Sequence, residues 1–172
     1  MAKNLEIKAR IHDRTSVEAR AAAAAGGPPV RLIQRDTFFH VPRGRLKLRE
    51  EEGRAAELVY YEREDLEGPK PSFYLVTPVP DPAPLRASLE RCLGIRGRVE
   101  KERTLYRSGR TRIHLDRVRG LGDFLELEVR MEPGEGEGAA RKEAERLMKA
   151  LGVAEEDLLR GAYLDLLEKQ ER

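Results

Sequence analysis

The sequence predicts an α+β fold in which eight antiparallel strands close into a barrel and helices pack on its outside. Three observations predict it. Apolar and charged residues alternate singly along most of the chain, the period of a strand with one oily face. Acids and bases gather on the same side of strand after strand, which an ordinary half-solvated sheet has no need to do. Near the carboxyl end three long strand segments follow one another with only glycine turns between them. Eight antiparallel strands of this kind can close so that no edge is left.

With 172 residues the chain is read as one domain, 1–172, large enough for a real core. Charged residues make up 37% and aromatic residues 5%, and the charges alternate with apolar residues rather than forming blocks. That pattern predicts organised polar faces rather than disorder. The 33 basic and 31 acidic residues nearly cancel, which argues against a nucleic-acid binder while leaving room for a local basic pocket. The single cysteine, Cys92, excludes an intramolecular disulfide and fits a reducing cytoplasm. Its place in the apolar pattern of a helix predicts a core thiol rather than a nucleophile. Residues 21–25 are too short an apolar run to span a bilayer, and no hydrophobic signal region precedes them. A cytoplasmic protein with no membrane partner is expected.

Taken in order, residues 4–12 alternate, with Leu5, Ile7, Ala9 and Ile11 on one side and Glu6 and Lys8 on the other. Thr15 and Glu18 have capping-box spacing and open a helix that Gly26, Gly27, Pro28 and Pro29 end. A polar connection containing Arg31, Gln34, Arg35 and Asp36 leads to a short strand at 37–41, then a Pro-Arg-Gly turn at 42–44. In the next strand Arg45, Lys47 and Arg49 alternate with Leu46 and Leu48. Three cations on one strand face repel one another unless an anion or water lies between them. Residues 56–64 form a further strand with Tyr61 and Arg63 on one face, and 71–79 a fifth, whose prolines predict an edge. Asp81 and Pro82 open an amphipathic helix carrying Leu85, Leu89, Cys92 and Leu93, which Gly94 closes.

Strands at 98–107, 111–119 and 122–131 follow. They place Lys101 with Arg103, Arg112 with His114 and Asp116, and Glu126 with Glu128 on shared faces. Residues 135–151 and the leucine-rich end, from Leu158 to Leu167, are helical, and the last segment is expected to cover the barrel.

Glu126 and Glu128, at i and i+2, sit roughly 7 Å apart on one side of a strand, near enough to share divalent cations. A solvated face is the alternative for this segment alone. If all the charged faces point into one barrel, Glu6, Asp116, Glu126 and Glu128 meet Lys8, Arg45, Lys47, Arg49, Arg63, Lys101, Arg103 and Arg112. Such a lining is too charged for a dry core, because an unpaired buried ion costs several kcal/mol. It should be wet and hold a ligand. Carboxylate oxygens suit Mg²⁺ or Mn²⁺, and guanidinium forks suit phosphate. His114 is read as a polar wall residue that hydrogen-bonds the substrate or a neighbour, with metal chelation as its other reading.

These residues resemble the CYTH superfamily, the triphosphate tunnel metalloenzymes, over nearly the whole chain. The E-x-E-x-K opening falls on Asn4, Glu6 and Lys8, with an amide in place of the first acid. The basic strand appears as Leu46-Lys47-Leu48-Arg49, the K-x-R pair as Lys101 and Arg103, and the acidic pair as Glu126 and Glu128. The stretch Arg112 to Asp116, with Gly120, Gly122 and Phe124, Tyr60-Tyr61-x-Arg63 and Ala162 to Leu167, is closest to class IV adenylyl cyclase-like proteins.

The resemblance implies an eight-stranded tunnel that binds a triphosphate, with Glu6, Glu126 and Glu128 on Mg²⁺ or Mn²⁺ and Asp116 as a further ligand. Lys8, Lys47, Arg49, Arg63, Lys101, Arg103 and Arg112 would clamp phosphates, and Lys8, Arg49, Lys101, Arg103 and Arg112 would also offset transition-state charge. Arg45 and His114 join the substrate-binding set. The implied reaction is attack of a ribose 3′-hydroxyl on the α-phosphorus of ATP, giving cyclic AMP and pyrophosphate. The alternatives are hydrolysis of inorganic triphosphate, thiamine triphosphate or a nucleotide, and a non-catalytic polyphosphate binder, which Asn4 would favour. Homodimerisation is left open.

Overall fold

Backbone pairing turns the alternating segments into a closed antiparallel barrel. The computed structural model describes residues 2–64 and 68–170. Its strands are β1 (Ala2–Arg10), β2 (Val30–Phe39), β3 (Arg45–Glu51), β4 (Ala56–Arg63), β5 (Lys70–Val79), β6 (Ile95–Ser108), β7 (Thr111–Val118) and β8 (Gly122–Arg130). Around the wall they run β1, β5, β4, β3, β2, β6, β7 and β8, and β8 pairs with β1 again. The helices are α1 (Arg14–Ala24), α2 (Pro82–Leu93), α3 (Glu137–Leu151) and α4 (Tyr163–Gln170).

The bore is polar, and two flanks of the barrel are oily outside because β1, β7 and β8 turn apolar residues toward α3 and part of β2–β5 toward α2. Leu5, Ile7, Ile113, Leu115, Leu125, Leu127 and Val129 face outward and join Ala140, Ala144, Leu147 and Leu151 of α3 in one fully buried cluster. Leu85, Leu89 and Leu93 of α2 cover Phe39, Leu48, Ala56 and Val79 on the other flank. The opposite residues of the same strands are thereby aimed into the bore.

Four local expectations are corrected. The polar connection at 30–36 is the first part of β2, which pairs with β6 from Val30 onward. Its alternation is obscured because arginines occupy the outward positions 31 and 35, and polar Gln34 and Asp36 the inward ones. Strand β5 is not an edge: it lies between β1 and β4. Its prolines fit because the barrel is staggered. Pro71 pairs only with Leu5 of β1 and Pro78 only with Glu57 of β4, so each missing N–H falls where one flank has no neighbour. Helix α1 is capped by Asp13, whose carboxylate accepts the Ser16 N–H at 3.1 Å, rather than by Thr15. Cys92 is exposed rather than a core thiol.

The carboxyl-terminal segment closes one end of the barrel. Tyr163 and Leu164 pack with Phe38, Val99, Val118, Leu121 and Phe124, the two rings 5.0 Å apart at their centroids. A Cβ at Gly97 would stand 2.5 Å from Leu164 Cδ1, so a residue without a side chain lets the plug seat. Asp165 fastens it, accepting the Ala162 N–H at 2.7 Å, Arg96 at 2.7 Å and Arg45 at 3.1 Å. Beneath the plug lies Asp116, with no exposed surface. It accepts Arg103 at 2.6 Å through both Nε and Nη2, Lys101 at 3.0 Å and the Tyr163 hydroxyl at 3.0 Å.

Two substitutions test this division into an oily skin and an ionic floor. Leu127→Ala should cost about 2–5 kcal/mol in urea unfolding through a cavity beneath α3. Asp116→Ala should cost about 3–5 kcal/mol, because two buried cations lose their shared partner. A loss under about 1 kcal/mol for either would contradict the packing that assigns it.

Candidate active site

Strand register, more than any single motif, assembles the site. On β8, Glu126 stands opposite Lys8 of β1 and His114 of β7, and Glu128 stands opposite Glu6 and Arg112. Cross-strand partners of this kind are in side-chain contact range, so one row of the wall sets Glu126 between Lys8 and His114, and the next sets Glu6 and Glu128 side by side with Arg112 beyond them. Likewise Asp36 of β2 faces Arg49 of β3, and Arg103 of β6 faces Asp116 of β7.

The bore encloses a cavity of about 350 Å³, in the range of small-molecule sites. Among the described residues, nine cations line it, Lys8, Lys47, Arg49, Arg54, Arg63, Lys101, Arg103, Arg107 and Arg112, against five glutamates, Glu6, Glu51, Glu57, Glu126 and Glu128. Glu6, Lys8, Lys47, Arg49, Arg63, Lys101, Arg103, Arg112, His114, Glu126 and Glu128 are thus brought together. Arg45 turns instead to Asp165 of the plug, and Asp116 lies under the floor.

The ion pairs set the order of the site. Lys47 and Arg49 both bond Asp36, at 2.8 Å. Arg63 reaches Glu6 at 2.7 Å and the Gly161 carbonyl at 2.9 Å, tying the wall to the plug. Lys8 lies 3.0 Å from Glu126 and 3.7 Å above the Tyr163 ring, which shares its charge as a cation–π contact. Arg103 spans Asp116 and Glu126, 2.6 Å from each. Arg112 Nη2 lies 2.6 Å from Glu128 Oε2 near the mouth, its side chain 40% exposed.

Burial and charge act on these groups in opposite directions. Burial alone would raise Glu126, but Lys8 and Arg103 outweigh it and hold its carboxyl well below the usual range. Asp36 is likewise held far below by Arg49 and Lys47. On the cationic side, burial first and Arg49 second lower Lys47 to about 7, Asp36 only partly opposing them. Burial, helped by Arg103, lowers His114, which keeps its imidazole neutral near pH 7.

One ligand atom each from His114, Glu126 and Glu128 lies within 4.8 Å of the others, and the His114 Nδ1 is buried without a hydrogen-bond partner. An unpartnered nitrogen beside two carboxylates on a polar cavity fits a divalent cation. Glu6, engaged by Arg63, and Asp116, saturated by three side chains, stand outside that group.

Sequence reading missed Asp36 and Tyr163 as parts of the site. Asp36 sits in a segment with no clean apolar face, although Leu32, Gln34, Asp36 and Phe38 do alternate inward. Nothing in the spacing of Tyr163 signals that it reaches into the bore from outside the barrel.

No curated protein sequence matches the chain. Among solved structures, the PH1012 protein of Pyrococcus horikoshii OT3 superposes with a TM-score of 0.83 at 24% identity, over 95% of this chain and 98% of its own. A candidate adenylate cyclase of Vibrio parahaemolyticus gives 0.76 at 19% identity, covering 96% and 97%. HpAC1 of Hippeastrum, a candidate adenylyl cyclase with a dominant triphosphatase activity, gives 0.64 at 15% identity, covering 87% and 88%. At these identities the likenesses show a common fold. The CYTH domain model matches residues 2–163, from the first strand to the plug tyrosine, and the chain belongs to the CYTH domain family.

Proposed function

We propose that this protein is a metal-dependent enzyme acting on a triphosphate, and that its reaction is of the class IV adenylyl cyclase type, converting ATP to cyclic AMP and pyrophosphate. The observation that carries the reading is the excess of cations over carboxylates converging on a bore that also holds the Glu126 and Glu128 pair. A polyanion relieves the cation excess, and a divalent cation relieves the acids.

Glu126 and Glu128 are proposed to hold Mg²⁺ or Mn²⁺, which when bound supplies Lewis-acid charge at phosphate oxygens. Lys8, Lys101 and Arg103 receive phosphate oxygens near the floor, Lys47, Arg49 and Arg63 along the walls, and Arg112 at the mouth. Their pairing with Asp36, Asp116, Glu6 and Glu126 keeps them extended before the ligand arrives, so little reorganisation accompanies binding. In this assignment Asp116 orients Lys101 and Arg103 rather than touching the ligand. The ribose 3′-hydroxyl gives its proton to solvent as its oxygen bonds the α-phosphorus, and the bond from that phosphorus to the β-phosphate bridging oxygen breaks to release pyrophosphate. Leu32, Val59, Val76 and Leu105 are among the apolar residues of the lining, a surface suited to a nucleobase.

Hydrolysis of the terminal phosphate is the second reading. The blind floor favours it, because a triphosphate entering by the mouth brings its terminal group to the densest cations, beside Glu126. Incubating the protein with ATP and Mn²⁺ and separating the products decides between them. Cyclic AMP with pyrophosphate is expected, orthophosphate alone would replace the cyclase reading with the hydrolase one, and Glu126→Gln should reduce either product at least about a hundredfold. No product from ATP, inorganic triphosphate or thiamine triphosphate would defeat both.

Lys47 supplies a pH test. Its ammonium loses a proton near pH 7, so it is cationic below and neutral above that value. Calorimetry with a non-cleavable ATP analogue should show affinity falling as pH rises from about 6 to 8, and Lys47→Arg should flatten the profile because guanidinium stays charged. An unchanged slope in the variant would remove Lys47 from phosphate binding.

A further inference from the structure

Resting on the metal-dependent reading above and deepening it, we propose that His114 is a direct ligand of the cation. The site of His114, Glu126 and Glu128 thereby selects a transition-metal dication such as Mn²⁺ over Mg²⁺. The imidazole Nδ1 lies 3.8 Å from Glu126 Oε2 and 3.8 Å from Glu128 Oε1. That separation is too long for a hydrogen bond, yet it suits two donors each about 2.1 Å from one shared ion.

His114 is 4% exposed, and its Nδ1 has no hydrogen-bond partner, a state that buried polar nitrogens rarely keep. It lines the cavity rather than the oily skin, so the unspent lone pair is inside the bore. Among the histidines, cysteines and acids of the described residues, the group whose ligand atoms converge is His114, Glu126 and Glu128, so the donor that joins the two carboxylates is nitrogen. Asp116 is enclosed by Arg103, Lys101 and Tyr163.

A nitrogen donor changes the selectivity. Mg²⁺ takes oxygen ligands and holds its water, whereas imidazole binds first-row transition metals more readily. Arg103 and Lys8 stand 2.6 and 3.0 Å from Glu126 and Arg112 2.6 Å from Glu128, so an ion placed there competes with three cations, of which Arg103 already divides its charge between Glu126 and Asp116. Phosphate oxygens of the ligand would screen what remains.

The test is pulsed electron paramagnetic resonance of Mn²⁺ added to the purified protein without nucleotide. Coupling of the bound ion to a ¹⁴N nucleus is expected, replaced by the ¹⁵N pattern when the histidines are ¹⁵N-labelled, a control that needs no variant. His114→Gln should abolish the coupling and weaken Mn²⁺ binding about tenfold or more. Glu128→Gln should weaken binding too, and about a tenfold excess of Mg²⁺ should fail to displace Mn²⁺. Absence of bound Mn²⁺, bound Mn²⁺ without nitrogen coupling, coupling that survives in His114→Gln, or displacement by that excess of Mg²⁺ would each overturn the proposal. Product assays on the same preparations separate the two readings. Turnover without nitrogen coupling defeats the ligand assignment alone, and coupling without turnover on any triphosphate defeats the enzymatic reading alone.

Discussion

The structure depends on the cost of enclosing like charges. Among the described residues nine cations share one cavity wall, and in a medium of low effective dielectric their mutual repulsion would open the barrel unless anions lay among them. The chain answers with two kinds of carboxylate. Asp36 and Asp116 lie behind the lining, fully buried, each accepting from two cations. Glu6, Glu126 and Glu128 stand on the lining itself, partly exposed to the bore. The first kind keeps the cations in place, and the second leaves the site with charge that a ligand can displace.

The inverted sidedness of the barrel follows from the same balance. Leucine, isoleucine and valine on the outer face are covered by α3 and α2, which supplies the apolar burial that stabilises the fold while the interior remains polar. A soluble barrel with an apolar interior would need no helices outside it. Here the helices are the core's second layer, and the bore is free to be shaped by function. Closure of one end by Tyr163 and Leu164 then makes the cavity a blind pocket with polar walls and a mouth marked by the half-exposed Arg112.

Pairing also sets protonation. Lys47 and His114 are both depressed, burial acting first and a neighbouring guanidinium second, Arg49 in one case and Arg103 in the other. Arginine keeps its charge under the same conditions, so the permanent positive field of the pocket belongs to Arg49, Arg63 and Arg103, and the adjustable part to lysine and histidine. Orientation and field are thus in place before any substrate arrives, which suits chemistry that proceeds by positioning and charge compensation.

The chain by itself determined which side of each strand is oily and which is charged, and hence that Glu126 and Glu128, Lys101 and Arg103, and Lys47 and Arg49 point the same way. That information is local, because side-chain direction alternates with every residue of an extended backbone. It was legible for β1, β3, β7 and β8, where apolar residues mark the outer face, and less so for β6, where Glu100 and Glu102 lie outside and Val99 and Leu105 inside. It failed for β2, where arginine replaces the outer apolar residues. Only the tertiary structure decided which charges meet. Asp116 and Glu126 look equivalent in the sequence, yet one is consumed by Arg103, Lys101 and Tyr163 beneath the floor and the other opens into the bore beside His114. Their fates depend on the register between strands and on a plug arriving from the far end of the chain. Partner identity is a property of closure, which no single strand carries.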